Sequence, residues 1–138
     1  MKRPEYDASR WLAQANDDLS FARWVLSEDR FFDKGCFVAQ QAAEKALKAV
    51  CFLDGARNVI GHSLVELVER LAAAHPEIGA LRDDARKLDR FYIPTRYPDG
   101  LPGGAPFESF VRSDLEQAVT TAEKIAAAAR ALVKSPAE

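Results

Sequence analysis

Residues Gln40 to Ala49 read QQAAEKALKA, a run built from Ala, Leu, Gln, Glu and Lys, the residues that lose least on entering an α-helix. No Gly, Pro or β-branched residue interrupts it. The helical pattern extends back to Lys34 and forward to Leu53, where Asp54-Gly55 supplies a stop. Ala39, Ala43, Leu47 and Val50 follow one face of this helix, whereas Gln40, Glu44 and Lys48 lie at successive four-residue steps, flanked by Gln41 and Lys45. Such a stripe is either an exposed face with a Glu44–Lys48 pair worth only about 0.2–0.5 kcal/mol, or a polar seam facing another helix or a ligand.

Outward from this helix the rest of the chain is also helical in pattern. Trp11, Ala15, Leu19, Ala22 and Leu26 recur at three- and four-residue steps, predicting a first helix capped by Asp7 or Ser9 and ending between Ser27 and Arg30. Ser63 and Glu66 have capping-box spacing, so a short helix starts just after His62 and stops before Pro76. Pro76 then fits the first turn of a fourth helix running through Ile78, Leu81, Ala85, Leu88 and Tyr92 until Pro94 ends it, with His75 as its cap. Ser113 and Glu116 repeat the capping-box spacing at the head of a last helix through Leu115, Ala122, Ile125 and Leu132, and residues 135–138 are expected to fray. Short connections between amphipathic helices favour antiparallel neighbours, so residues 1–138 read as one all-α, up-and-down bundle of about five helices.

Between the last two helices lies IPTRYPDGLPGGAPF, residues 93–107, with four prolines and three glycines in fifteen residues. No helix continues through it, and long loops in compact domains often carry function. Arg96 and Tyr97 stand between Pro94 and Pro98, on backbone stiffened at both ends. A guanidinium there offers a phosphate-binding fork beside a ring able to stack on a base. The structural alternative pairs Arg96 with Glu44 or Asp99 and uses Tyr97 to plug the bundle end.

Bulk composition narrows the function classes. The chain has 138 residues, 48% hydrophobic and 29% charged, which suffices for one self-sufficient core. A net charge of −2 provides no global field for DNA or anionic membranes, so any RNA contact must be local. Cys36 and Cys51 lie about four turns apart on one predicted helix, too far for a disulfide within it. They read as buried thiols. No secretory core or membrane-length apolar run is present, which points to the cytoplasm. No metal cluster, glycine-rich phosphate loop or nucleophile elbow is found, so neither metal nor cofactor is expected. Trp11, Trp24, Phe31, Phe32 and Phe37 read mostly as core, with Trp24 and Val25 widening the first helix's apolar face enough for a dimer contact.

Trp11, Ala15, Asp18-Leu19 and Ala22, then QQAAEKALKA, then His62-Ser63-Leu64, then Arg96-Tyr97-Pro98-Asp99 stand in an order that resembles the HEPN family over nearly the whole chain. Each motif alone is weak, but four in order are specific. The resemblance implies an antiparallel helical bundle related to the C-terminal domain of kanamycin nucleotidyltransferase, nucleotide or RNA binding, and a homodimer. It also implies a small nucleotidyltransferase as partner in a toxin–antitoxin-like pair. Many members are metal-independent endoribonucleases using an Arg four to six residues before a His, and Arg57 and His62 meet that spacing. In them the imidazole moves a proton and the guanidinium holds phosphate. Arg57, however, follows Gly55 in a predicted loop, whereas those members carry the pair on a helix. The residues singled out for ligand contact are Gln40, Glu44, Lys48, His62, Arg96 and Tyr97. A non-catalytic dimerisation or interaction protein is the competing class, in which His62 serves as a cap or packing residue.

Overall fold

The computed structural model describes residues 3–133. Its helices are α1 (Pro4–Glu28), α2 (Phe32–Leu53), α3 (Leu64–Ala72), α4 (Pro76–Gly79), α5 (Arg82–Asp89), α6 (Pro106–Ser109) and α7 (Arg112–Leu132), with one 3-10 turn at Pro98–Gly100. There is no strand among the described residues. The expected fraying of residues 135–138 lies outside them. The long helices α1, α2 and α7 pack on one another, and the short helices α3 to α5 close one side, α5 touching α7.

Small residues set how closely the long helices approach. Ala8, Ala15 and Ala22 of α1 and Ala39, Ala42, Ala43, Ala46 and Ala49 of α2 are fully buried, with Leu19, Leu47, Leu115 and Ile125 filling the space between. The tightest point is Gly35, where an added Cβ would lie 2.8 Å from Leu115 Cδ1 and 3.1 Å from Val25 Cγ1. A side chain fits between α1 and α7 there only if the buried Leu115 methyls give way.

Several boundaries differ from the sequence reading. Neither Asp7 nor Ser9 caps α1; the helix begins at Pro4, whose fixed φ suits the first helical position. The Ser9 hydroxyl donates to the Tyr6 carbonyl instead. The predicted fourth helix is two, α4 and α5, broken at Ala80–Leu81. Ile78 and Leu88 sit about 80° apart around a straight helix, and with the bend both are fully buried. Helix α7 opens at Arg112 rather than after Ser113, because the Asp114 carboxylate accepts from the Val111 N–H at 2.8 Å. His75 occupies the N-cap position of α4 without a capping bond, and its Nε2 meets the Asp54 carboxylate at 2.9 Å, joining the end of α2 to α4.

The segment 93–107 is more structured than a loop of four prolines suggests. Arg96 N–H donates to the Ile93 carbonyl at 3.0 Å, and buried Thr95 donates its hydroxyl to the Phe91 carbonyl. Gly100 folds back until an added Cβ would stand 2.9 Å from the Pro94 Cα. Pro106 is buried at the start of α6. The aromatic residues also divide: Trp24 and Phe31 are exposed, Trp11, Phe32 and Phe37 are half-buried, and Val25 belongs to the core. Both cysteines are free and buried.

Candidate functional site

The polar stripe of α2 is not an exposed face. Gln40 is 0%, Glu44 4% and Lys48 6% exposed, so each must satisfy its polar atoms within the protein. Lys48 Nζ lies 3.1 Å from the Glu44 carboxylate, and its ammonium stands 5.9 Å from the centre of the Trp11 ring. Gln41 donates to Gln40 Oε1 at 2.8 Å and to Glu44 Oε1 at 3.3 Å. Gln40 donates in turn to the main-chain carbonyl of His62 at 3.2 Å.

The stripe converges on His62. Its Nδ1 is 3.2 Å from Glu44 Oε1 and 3.4 Å from Oε2, while the side chain itself is 55% exposed. With Nδ1–H given to the carboxylate, Nε2 is left bare, facing no hydrogen-bond partner among the described residues. The ring stacks on Tyr92 with centroids 4.8 Å apart and planes 19° from parallel.

The backbone around His62 is fixed from below by Asp89. Its carboxylate accepts from Leu64 N–H at 2.7 Å, from Val65 N–H at 3.2 Å and from the Ser63 hydroxyl at 3.2 Å. Ser63 Oγ meanwhile accepts from Glu66 N–H at 3.2 Å, as its spacing predicts. The end of α5 therefore caps the start of α3, with an acidic group at the positive end of the helix.

Arg96 reaches the same ring that His62 stacks on. Its guanidinium carbon lies 4.5 Å from the Tyr92 centroid, 4.5 Å from that of Phe37 and 5.0 Å from that of Tyr97, and its Nε donates to the Tyr92 carbonyl at 2.9 Å. It pairs with neither Glu44 nor Asp99. Tyr97 is half exposed rather than a plug. Arg57 is exposed in the connection between α2 and α3, and no hydrogen bond or ion pair joins it to His62.

The structure thus brings Gln40, Glu44, Lys48, His62, Arg96 and Tyr97 into one connected region and leaves Arg57 outside that bonding network. Sequence reasoning missed three members. In the sequence Tyr92 reads only as part of a helical pattern, Phe37 only as core, and Asp89 carries no reading. The one available signal for Asp89 was an acidic residue ending a helix, where it opposes the dipole unless it serves another helix. Among the described residues, no group of three or more His, Cys, Asp or Glu is arranged to hold a metal ion, and no helix is long and apolar enough to cross a membrane.

An all-α bundle whose second helix carries a buried ionic stripe under an exposed histidine defines the class. The chain belongs to the HEPN domain family, whose profile matches residues 8–132. A crystal structure of TT1696 from Thermus thermophilus superposes with a TM-score of 0.84 at 37% identity, covering 95% of this chain and 98% of that one. The archaeal HEPN homologue ST0689 gives 0.75 at 32% identity, covering 97% and 100%. Among curated proteins, one of Methanocaldococcus jannaschii named "Putative toxin MJ1304" is 28% identical over 133 residues, covering 86% of this chain and 82% of its own length.

Proposed function

We propose that the protein is a HEPN-type nucleotide- or RNA-interacting module of a toxin–antitoxin-like pair, acting in the cytoplasm, with His62, Arg96 and Tyr97 as its contact surface. The observation that carries this reading is that an exposed imidazole and a guanidinium share the Tyr92 ring. Phosphate has a fork to meet, and a base has Tyr97 to stack on. Gln40, Glu44 and Lys48 act from beneath as positioning residues. The relative named as a toxin supports the pairing with an antitoxin, for which a small nucleotidyltransferase is the partner proposed. Exposed Phe21 and Trp24 at the C-terminal end of α1, with exposed Phe31 at the head of α2, support a homodimer contact there.

The Glu44–His62 geometry favours a catalytic form of the same reading, a metal-independent endoribonuclease. A carboxylate on Nδ1 orients the ring and leaves Nε2 to move a proton to or from a ribose 2′-hydroxyl or leaving oxygen. Arg96 or Arg57 would hold the phosphate. The test is binding and cleavage of single-stranded RNA in EDTA by wild type, His62→Ala, Arg96→Ala and Arg57→Ala. The module reading expects binding weakened about tenfold or more by Arg96→Ala; the catalytic form further expects cleavage lost in His62→Ala. RNA and nucleotide binding that is absent, or indifferent to both His62 and Arg96, would sink the proposal.

A further inference from the structure

Asp33, the second residue of α2, is only 5% exposed. Its Oδ2 lies 3.3 Å from Lys34 Nζ, while its Oδ1 is buried with no hydrogen-bond partner among the described residues. A buried acceptor without a donor bears the full cost of its lost hydration, so such an atom needs a reason. The positive end of α2 accounts for an acidic residue in the first turn. It does not account for burying that residue or leaving an oxygen without a donor.

The carboxylate lines a pocket of about 350 Å³ together with Lys34, Thr95, Arg96, Pro106 and Phe107. Thr95 already gives its hydroxyl to the Phe91 carbonyl, so it does not serve Asp33. Three ring contacts and the Nε bond to the Tyr92 carbonyl fix the Arg96 guanidinium, leaving its Nη groups without a hydrogen bond among the described residues. The Lys34 side chain is 60% exposed and rests against Asp33 and the Phe31 ring, 5.4 Å away, so it can turn off the carboxylate without disturbing the core. Phe107 brings a ring that is 70% exposed.

The pocket therefore offers an acceptor beside cationic donors. A plain anion meets the repulsion of Asp33, and a plain cation that of Lys34 and Arg96. The fitting ligand carries a hydrogen-bond donor and a negative charge together. Because Lys34 Nζ stands 3.3 Å from Asp33 Oδ2, that donor and that charge must sit on neighbouring groups. A ribonucleotide has this arrangement at its sugar, where the 2′-hydroxyl stands beside the 3′-phosphate, and a carboxylate is a recurrent partner of ribose hydroxyls. The donors on the edge of a base lie farther from any phosphate.

We infer that this pocket is a ribose-selecting subsite, in which Asp33 accepts from a 2′-hydroxyl, Lys34 and Arg96 hold the adjacent 3′-phosphate, and Phe107 lies against the base. This rests on the RNA contact proposed at Arg96, the residue that the pocket shares with the His62 surface. Lys34 leaves Asp33 for the phosphate as the sugar enters. The choice of RNA over DNA is then made by binding at Asp33, apart from any cleavage at His62.

The test is an NMR titration with adenosine 3′-monophosphate and its 2′-deoxy analogue, and with the corresponding uridine pair. Wild type is expected to bind each ribonucleotide about tenfold more tightly than its deoxy partner, the worth of one hydrogen bond to a charged acceptor. Asp33→Ala is expected to bring that ratio to about one by weakening the ribonucleotides alone, whereas Lys34→Gln weakens both sugars alike. If Asp33→Ala does not fold, Asp33→Asn decides, its neutral acceptor lowering the ratio about threefold. Wild type that shows no sugar preference or binds no mononucleotide overturns the subsite, as does an unchanged ratio in the Asp33 variant. A loss in that variant equal for both sugars also overturns it, since Asp33 would then meet a base. Any of these results with Arg96→Ala still defective in binding single-stranded RNA spares the proposed function. If wild type binds neither mononucleotides nor RNA, both ideas fall.

Discussion

Glu44 Oε1 sits 3.2 Å from His62 Nδ1, so a carboxylate that is 4% exposed orients an imidazole that is mostly in solvent. The same carboxylate holds Lys48 at 3.1 Å. A buried pair of this kind adds little net stability, since desolvating both charges roughly offsets their attraction, but leaving one partner alone is costly. We expect Lys48→Met to destabilise by about 3–5 kcal/mol in urea unfolding. The double variant Glu44→Met/Lys48→Met should recover most of that loss and still fail in RNA binding. A double variant that binds RNA as wild type does would show that Glu44 is not a positioning residue.

Asp89 bears on the same histidine through the backbone. Asp89→Ala removes acceptors from Leu64 N–H, Val65 N–H and the Ser63 hydroxyl together. The expected cost is about 1–3 kcal/mol, with amide exchange at Leu64 and Val65 speeding up more than at the centre of α2. Uniform acceleration across the chain would mean that the effect is global.

Gly35→Ala is expected to be among the more damaging single methyl additions in this protein. Its Cβ would meet the Leu115 methyls at 2.8 and 2.9 Å, so the fully buried Leu115 side chain must shift among its neighbours at a cost of about 1–3 kcal/mol. Thermal unfolding reads this directly. Leu115→Ala in the same chain makes room, so the double variant should lose less than the two single changes summed.

Alkaline pH should weaken the fold through Cys36. Burial, and after it the charges of Asp114 and Asp33, pushes this thiol from its ordinary 9.0 up to about 12. Between those values the unfolded chain releases the proton while the folded chain keeps it, so stability falls as pH rises, by up to about 1.4 kcal/mol per pH unit. Below pH 9 the contribution is fully present. Urea unfolding of wild type and Cys36→Ala at a series of pH values isolates it: their difference should shrink above pH 9 and stay constant below.

Most of the fold is legible in the sequence because helix formers, proline and apolar spacing act locally. The second helix is read to within two residues at its start, and Ser63 accepts from Glu66 as expected. Caps fail where a tertiary or flanking group supplants the local candidate, as Pro4 does for Asp7 and Asp114 for Ser113. The single fourth helix fails because Ile78, Ala85 and Leu88 keep near-helical spacing across the break at Ala80–Leu81, so periodicity does not register the bend. The site is harder to read. Gln40, Glu44 and Lys48 look alike as an exposed stripe or a buried one, since only the partners from α1 and the 62–64 segment decide. Tyr92 is invisible as a site residue because its partners, His62 and Arg96, come from opposite sides of it in the chain.

Tyr92 has its ring against His62 and against Arg96, and its own carbonyl takes the Arg96 Nε proton. One residue therefore sets the spacing of two others that share no direct bond. Substitutions at His62 and Arg96 should accordingly be non-additive although no hydrogen bond or ion pair joins them, and Tyr92→Leu, which keeps the backbone carbonyl but removes the common ring, should uncouple them.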